Sequence, residues 1–426
     1  MKLWLRQRDT MRIFLNAVAL VVVLAASSFS MEATKAPHYQ VRLTLAPEKG
    51  TVSVEVVITL PAETARTGAG FLLGRGYKVS SVSAEPNATA SVADTDKPFP
   101  GLQRVFVQSR PESHGDVNLK LVYSGPLSPT GNPPINEISA DRVELSADSL
   151  WYPLSENFNT RLTLDAVIKG LSRDFVVASA DQVLMRGNGF QLHRSRPLPD
   201  IAFIAAPGLK VITKGHLQFV GRNLESDEAK DYLENGPKAL AFLEKWFGPL
   251  PAGRATVAIV ERKNGTGYSR PGYIVVADLG QPVDPTNLWA KAGYLCHELS
   301  HAWWSNANFM GEDYWLVEST AEYVALRYLE AQYGVTAIQG ILDKKKPRAV
   351  RGGPLLGNGR PSDDAVYAKG PLLLFELEKT IGRPSLDKIL ATLSRRETLT
   401  TRDFLDQLTK IAGSGAATDF EKKLRS

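Results

Sequence analysis

Two histidines four residues apart, His297 and His301, enclose Glu298 in the string HELSH. On an α-helix such residues share a face one turn apart, so both imidazoles can reach a single ion. Zinc takes nitrogen and oxygen ligands tetrahedrally and, where it does chemistry, keeps one position open for water. Glu298, beside the first ligand, is then placed to draw a proton from that water. A third protein ligand is required, and WLVESTAEY supplies Glu318. Glu322 follows four residues on, sharing that helical face. There it can accept a hydrogen bond from a ligating imidazole and fix its orientation; a solvated helix charge is the alternative. One zinc ion and hydrolysis are the chemistry these residues point to.

The elements that must position them fall into two domains. From His38 to about Pro207 the chain reads as strands and turns: YQVRLTL and TVSVEVVITL alternate apolar with polar residues across Pro47, Lys49 and Gly50, as in a hairpin. NLKLVYSG, RLTLDAVIKG, FVVASA and IAFIAA continue the pattern, and an all-β sandwich-like domain over 31–207 fits them. Over 208–426 the character changes. Ser226 to Phe247 has a helical apolar face, ATVAIV and YIVVADL read as strands, and helices are expected near 286–304, 314–330, 368–381, 384–395, 401–412 and 416–425. Cys296 shares the helix of His297 but points about 100° away, as a small core residue.

These residues resemble the gluzincin peptidases, and within them the membrane alanyl aminopeptidase and leukotriene hydrolase family. That family pairs HExxH with a Glu inside a W-L-N-E-G-F-A-E string, and WLVESTAE matches it at Trp315, Leu316, Glu318, Ala321 and Glu322. The spacer between His301 and Glu318 is 16 residues where the family has eighteen, and the shortening falls in the loop NFMGEDY. Trp303 and Asn306 fit the family's W-x-G-N continuation, with Ser305 in place of Gly. YAKGPLLLFELEKTIG resembles the family's Y-x-K-G segment through Tyr367, Lys369 and Gly370. The resemblance implies a minimal two-domain form whose second domain is a mostly helical, α+β, thermolysin-like (zincin) catalytic domain. It also implies that Tyr367 hydrogen-bonds the tetrahedral oxyanion; spacing alone would leave Tyr367 a packing residue. Lys369 is expected to support its loop.

One family feature is missing. Where a G-x-M-E-N segment would hold the substrate's α-amino group, TGYSRPGYIVV puts Ser269 at the Glu position and Arg270 at the Asn position, ahead of Gly272. These three are the candidate substrate-binding residues. Arg270 can attract a carboxylate or be a loop charge, and the strand YIVVA offers an edge for pairing with an extended peptide.

Of 426 residues, 43% are hydrophobic and 22% charged, as in an ordinary globular protein. The formal net charge is +5, of which +3 lies in residues 1–30, and no basic run suggests a nucleic-acid partner. Lys2, Arg6, Arg8 and Arg12 precede an apolar run from Ile13 to Ala26 and then Ser27, Ser28 and Ser30: the order of a signal peptide over 1–30. The expectation is an exported protein, periplasmic or secreted, touching the membrane only if that leader stays as an anchor. The partner expected is a peptide or protein substrate, cut by an aminopeptidase or an endopeptidase. A zincin-like module that binds metal or peptide without turnover is the alternative. Lipid-epoxide hydrolysis, found in one branch of the family, has no dedicated residue here.

Overall fold

Alternation along the first strands is strict in the computed structural model. Tyr39, Val41, Leu43 and Leu45 of the strand His38–Ala46 are each no more than 3% exposed, with their neighbours turned outward. That strand pairs antiparallel with Thr51–Leu60 and parallel with Leu162–Lys169, at the centre of a seven-stranded sheet. The parallel partner, more than a hundred residues away, gives no local signal. Two four-stranded sheets complete the N-terminal β domain, whose core runs from Tyr39 to Ala205 and includes the buried Trp151 and Tyr152. The structure describes residues 35–426 apart from 96–99, 128–134, 159, 264–266, 283, 285 and 358. The expected signal peptide of residues 1–30 lies outside the described residues.

A five-stranded sheet follows, in the order Lys210–Lys214, Leu217–Gly221, Ala255–Glu261, Tyr273–Asp278, Tyr268–Arg270. Ala255–Glu261 and Tyr273–Asp278 are buried almost throughout because both faces are covered. Val257, Ile259, Ile274 and Val276 face the helical core, whereas Ala258, Val260, Tyr273 and Val275 join a separate cluster with Ala178, Ala202 and Ile204 of the β domain. This corrects one expectation. YIVVA is an inner strand, and the edge on its side of the sheet is the three-residue strand Tyr268–Arg270.

The remaining chain is helical, so a β-rich domain precedes a mostly helical one, as the sequence pattern and the resemblance led us to expect. No helix among the described residues is long and apolar enough to cross a membrane. Two helices differ from expectation. The motif helix is short, Tyr294–Ser300, entered through a wider π-type turn at Trp289–Gly293. Val335–Gly352 forms a helix where none was expected. It contains Gly340 and Pro347 and buries only Ile338, Lys345 and Gly352, so it shows little of the apolar stripe by which a helix is read.

Candidate active site

His297 and His301 stand at the end of the motif helix, both less than 8% exposed. Cys296 is fully buried, in the core behind them. Glu318 and Glu322 come from the helix Tyr314–Tyr333, buried on nearly all sides. The shorter spacer still delivers Glu318. Its Oε2 lies 3.2 Å from His297 Nε2 and 3.7 Å from His301 Nε2. Ligands of a tetrahedral zinc with bonds of about 2.0–2.1 Å are about 3.3 Å apart, so this donor set has the right chemistry and nearly the right spacing. One ligand atom from each of the three residues falls within 4.8 Å of the others.

The far nitrogen of each ring faces an oxygen. His297 Nδ1 stands 3.0 Å from Glu322 Oε2, and His301 Nδ1 is 3.3 Å from the Trp304 carbonyl. With those sides engaged, each Nε2 is left to face Glu318. Burial alone would raise the Glu318 carboxyl, but the charge of His301 and the hydrogen bond from His297 hold it at about 2. Burial works to lower the His297 pKa, yet hydrogen bonds to Glu318 and Glu322 lift it to about 10. Two carboxylates against one imidazole make a place that demands a cation, a proton or a metal.

Glu298 is buried on the same turn. Burial raises its carboxyl above the ordinary range despite the opposing charges of His297 and His301, which suits a group that must take and release a proton. The Ser269 hydroxyl donates to the Glu298 carbonyl (2.9 Å), tying the sheet edge to the motif helix. Ser269 therefore braces the site rather than carrying charge into it.

Tyr367 lies in a second π-type turn, Ala365–Lys369, ahead of the helix Gly370–Ile381. Such turns favour functional positions because they re-aim side chains. Its hydroxyl is 3.2 Å from that of Tyr314. Burial and the nearby Glu318 charge raise its pKa, keeping the phenol neutral and able to donate. Gly370 permits this placement: a Cβ there would lie 1.9 Å from Ser319 Oγ, on the helix that carries Glu318. Lys369 Nζ donates to the Gly353 carbonyl (2.9 Å), in support of the loop.

The three candidate ligands, Glu298, Glu322 and Tyr367 open on a cavity of about 810 Å³. Ser269 and Arg270 line it, and Gly272 is not among its lining residues; with φ of 81°, Gly272 occupies the turn between the last two strands of the sheet. Arg270 is not the free loop charge that a sequence reading allows. Its Nε donates to Asp200 Oδ2 (2.8 Å) and its Nη2 to Asp148 Oδ2 (2.5 Å). Both carboxylates belong to the β domain, so the cation is answered from within the protein. Sequence reasoning missed three further groups. Lys345, buried on the unexpected helix, pairs with Glu322 and donates to the Tyr367 carbonyl (2.8 Å). Tyr314 and Arg360 line the cavity beside Tyr367. A tyrosine just ahead of WLVE was the only visible hint of these.

No protein-family model matches the chain. Leucine aminopeptidase 2-1 of Meyerozyma guilliermondii is 32% identical over 137 residues, 27% of this chain and 22% of that protein's length. The M1 zinc metallopeptidase of Deinococcus radiodurans superposes with a TM-score of 0.71 at 18% identity, covering 91% of this chain and 94% of that one. Native yeast LTA4 hydrolase gives 0.70 at 16% identity, over 91% of this chain and 67% of its own. Nearly the whole of this chain is thus accounted for by one architecture, that of the M1 zinc metallopeptidases in their two-domain form.

Proposed function

We propose that the protein is a zinc-dependent peptidase acting from the amino terminus of its substrates. The observation that carries this reading is the convergence of His297, His301 and Glu318 in a cavity also lined by Glu298 and Tyr367. Zinc held by those three side chains would supply Lewis-acid polarisation of the scissile carbonyl and a more acidic water. The protein's own groups do the rest. Glu298 takes the proton of the attacking water and hands it to the leaving nitrogen. Tyr367 donates to the carbonyl oxygen as it becomes negative, an interaction stronger in the transition state than in the ground state. Glu322 and Lys345 keep His297 aimed.

Amino-terminal action is supported by the aminopeptidase likeness over part of the chain. A mutant of the M1 zinc metallopeptidase from Deinococcus radiodurans has been seen with a Tyr-Ser-Ala substrate. The amine would be held by a different residue from the family's. Asp148 lines the cavity with a third of its side chain exposed, and its Oδ2 is fixed by Arg270 and by the Ser146 hydroxyl (2.9 Å). The hydrogen bonds to this carboxylate from Arg270 and Ser146 both go to Oδ2, which leaves Oδ1 for an ammonium. Asp200, by contrast, is fully engaged by Arg270, Tyr152 and the Ala147 N–H.

Digestion of a peptide library with free and acetylated amino termini tests the reading. Free termini should be cut and acetylated ones spared; equal cutting would make the enzyme an endopeptidase. Asp148→Asn keeps an oxygen for Arg270 but loses the charge, and should raise KM for free-amine peptides about tenfold. An unaltered KM would move the anchor elsewhere. Tyr367→Phe should lower kcat by about a hundredfold with KM and zinc content nearly unchanged. A loss confined to KM would make Tyr367 a binding residue only. The basic, apolar, small order of residues 1–30 supports an exported location, which amino-terminal sequencing of the mature protein would check.

A further inference from the structure

Three arginines line the cavity: Arg270, Arg348 and Arg360. Two are neutralised by the protein, Arg270 by Asp148 and Asp200, and Arg348 by Asp364, whose Oδ1 lies 2.7 Å from its Nε. Arg360 has no carboxylate within ion-pairing distance among the described residues. It is exposed, and its guanidinium lies over the ring of Tyr314, 4.0 Å from the centroid. Stacking engages the face of a guanidinium and leaves donors on its edge for a planar anion. The stack also fixes where that edge can be. Arg360 also hydrogen-bonds Tyr314, and Tyr314 touches Tyr367, so a cation that no carboxylate pairs stands beside the group that would receive the oxyanion.

We propose that Arg360 docks a carboxylate of the substrate, on the side of the scissile bond away from the amine. This rests on the peptidase reading above, with the amine at Asp148. A carboxylate can come from the carboxy terminus of a short peptide or from an acidic side chain downstream of the cut. A guanidinium grips either through two parallel hydrogen bonds. The preferred substrates are then short peptides with a free carboxy terminus, or peptides acidic on the leaving side.

The test compares tri-alanine with its carboxy-terminal amide, and longer amidated peptides carrying Glu or Gln at each downstream position, all cut by the zinc-loaded protein. Wild type should show a KM about tenfold lower for the acid in at least one series, and Arg360→Ala should raise that KM to the amide's with kcat within about twofold. Arg360→Lys should recover only part of the preference, since an ammonium lacks the fork. The first series responding assigns the carboxy terminus, and the second assigns the side chain. Indifference of the wild type in both series would overturn the proposal. So would an Arg360→Ala change that is the same for acid and amide, which marks a merely structural stack on Tyr314. Should neither peptide be cut at all, the peptidase reading fails instead. Calorimetric binding of tri-alanine and its amide to Glu298→Gln, with and without Arg360→Ala, then still decides the role of Arg360: a preference for the acid that Arg360→Ala abolishes supports it, and equal binding refutes it.

Discussion

Glu298→Gln should bind about one zinc ion per chain, as the wild type would, and lose about a thousandfold in turnover of a free-amine peptide. The substitution changes almost nothing except basicity. Gln has the shape of Glu, the three ligand side chains are untouched, and the Ser269 bond to this residue goes to its backbone carbonyl. A buried carboxyl raised above its ordinary range gains proton affinity that an amide oxygen does not have. The residual activity should also lose the acid limb that Glu298 gives the wild-type pH profile, because only the ionised form can accept a proton. Metal content by atomic absorption and single-turnover kinetics provide the two readings. Zinc retained with turnover within about tenfold of wild type would remove Glu298 from the proton transfer. Zinc lost would show that the change reached the ligands.

The pattern of what could be read beforehand follows sequence distance. His297, Glu298 and His301 lie within five residues, and one helical turn sets their geometry before any tertiary contact forms. Glu318 and Glu322 share the same local logic on the following helix, although only folding could show that the shorter spacer leaves the Glu318 oxygen 3.2 Å from His297. Tyr367 was visible only through the YAKG resemblance, and the fold shows what that glycine does: it lets two helices touch where a Cβ would collide with Ser319. Arg270 was read as free to attract a carboxylate because its partners, Asp148 and Asp200, are 122 and 70 residues away in sequence. The apolar run YIVVA looked like an edge because burial on both faces and an unpaired edge read alike without the short strand Tyr268–Arg270 in view. In the run Lys344–Lys346 three identical residues occupy successive helical positions, and only Lys345 turns inward. Nothing local distinguishes it from its neighbours.

That lysine gives the other large expected effect. Lys345→Met should destabilise the fold by about 3 kcal/mol, while Lys346→Met, on an exposed residue paired with Asp343, should change it by less than about 0.5 kcal/mol. The two side chains of the Lys345–Glu322 pair are only 7% and 6% exposed. Methionine fills nearly the same volume, so the cost is electrostatic rather than a cavity. Glu322 keeps only His297 as a cation, and the Tyr367 carbonyl loses its donor. The pH dependence fixes the sign of that argument. Burial would raise the Glu322 carboxyl, but the hydrogen bond from His297 and the charge of Lys345 hold it below its ordinary value. A depressed carboxyl contributes stability that is present above its unfolded pKa and lost as the pH falls through its folded one. Without Lys345 the folded value rises and that contribution shrinks, so the variant suffers most where Glu322 must stay charged. Urea unfolding should therefore separate Lys345→Met from the wild type widely at about pH 7.5 and less at about pH 5. A deficit equal at both would mean that the lysine stabilises through its ammonium over the Trp289 ring, 5.4 Å from the centroid, and not through the carboxylate behind His297.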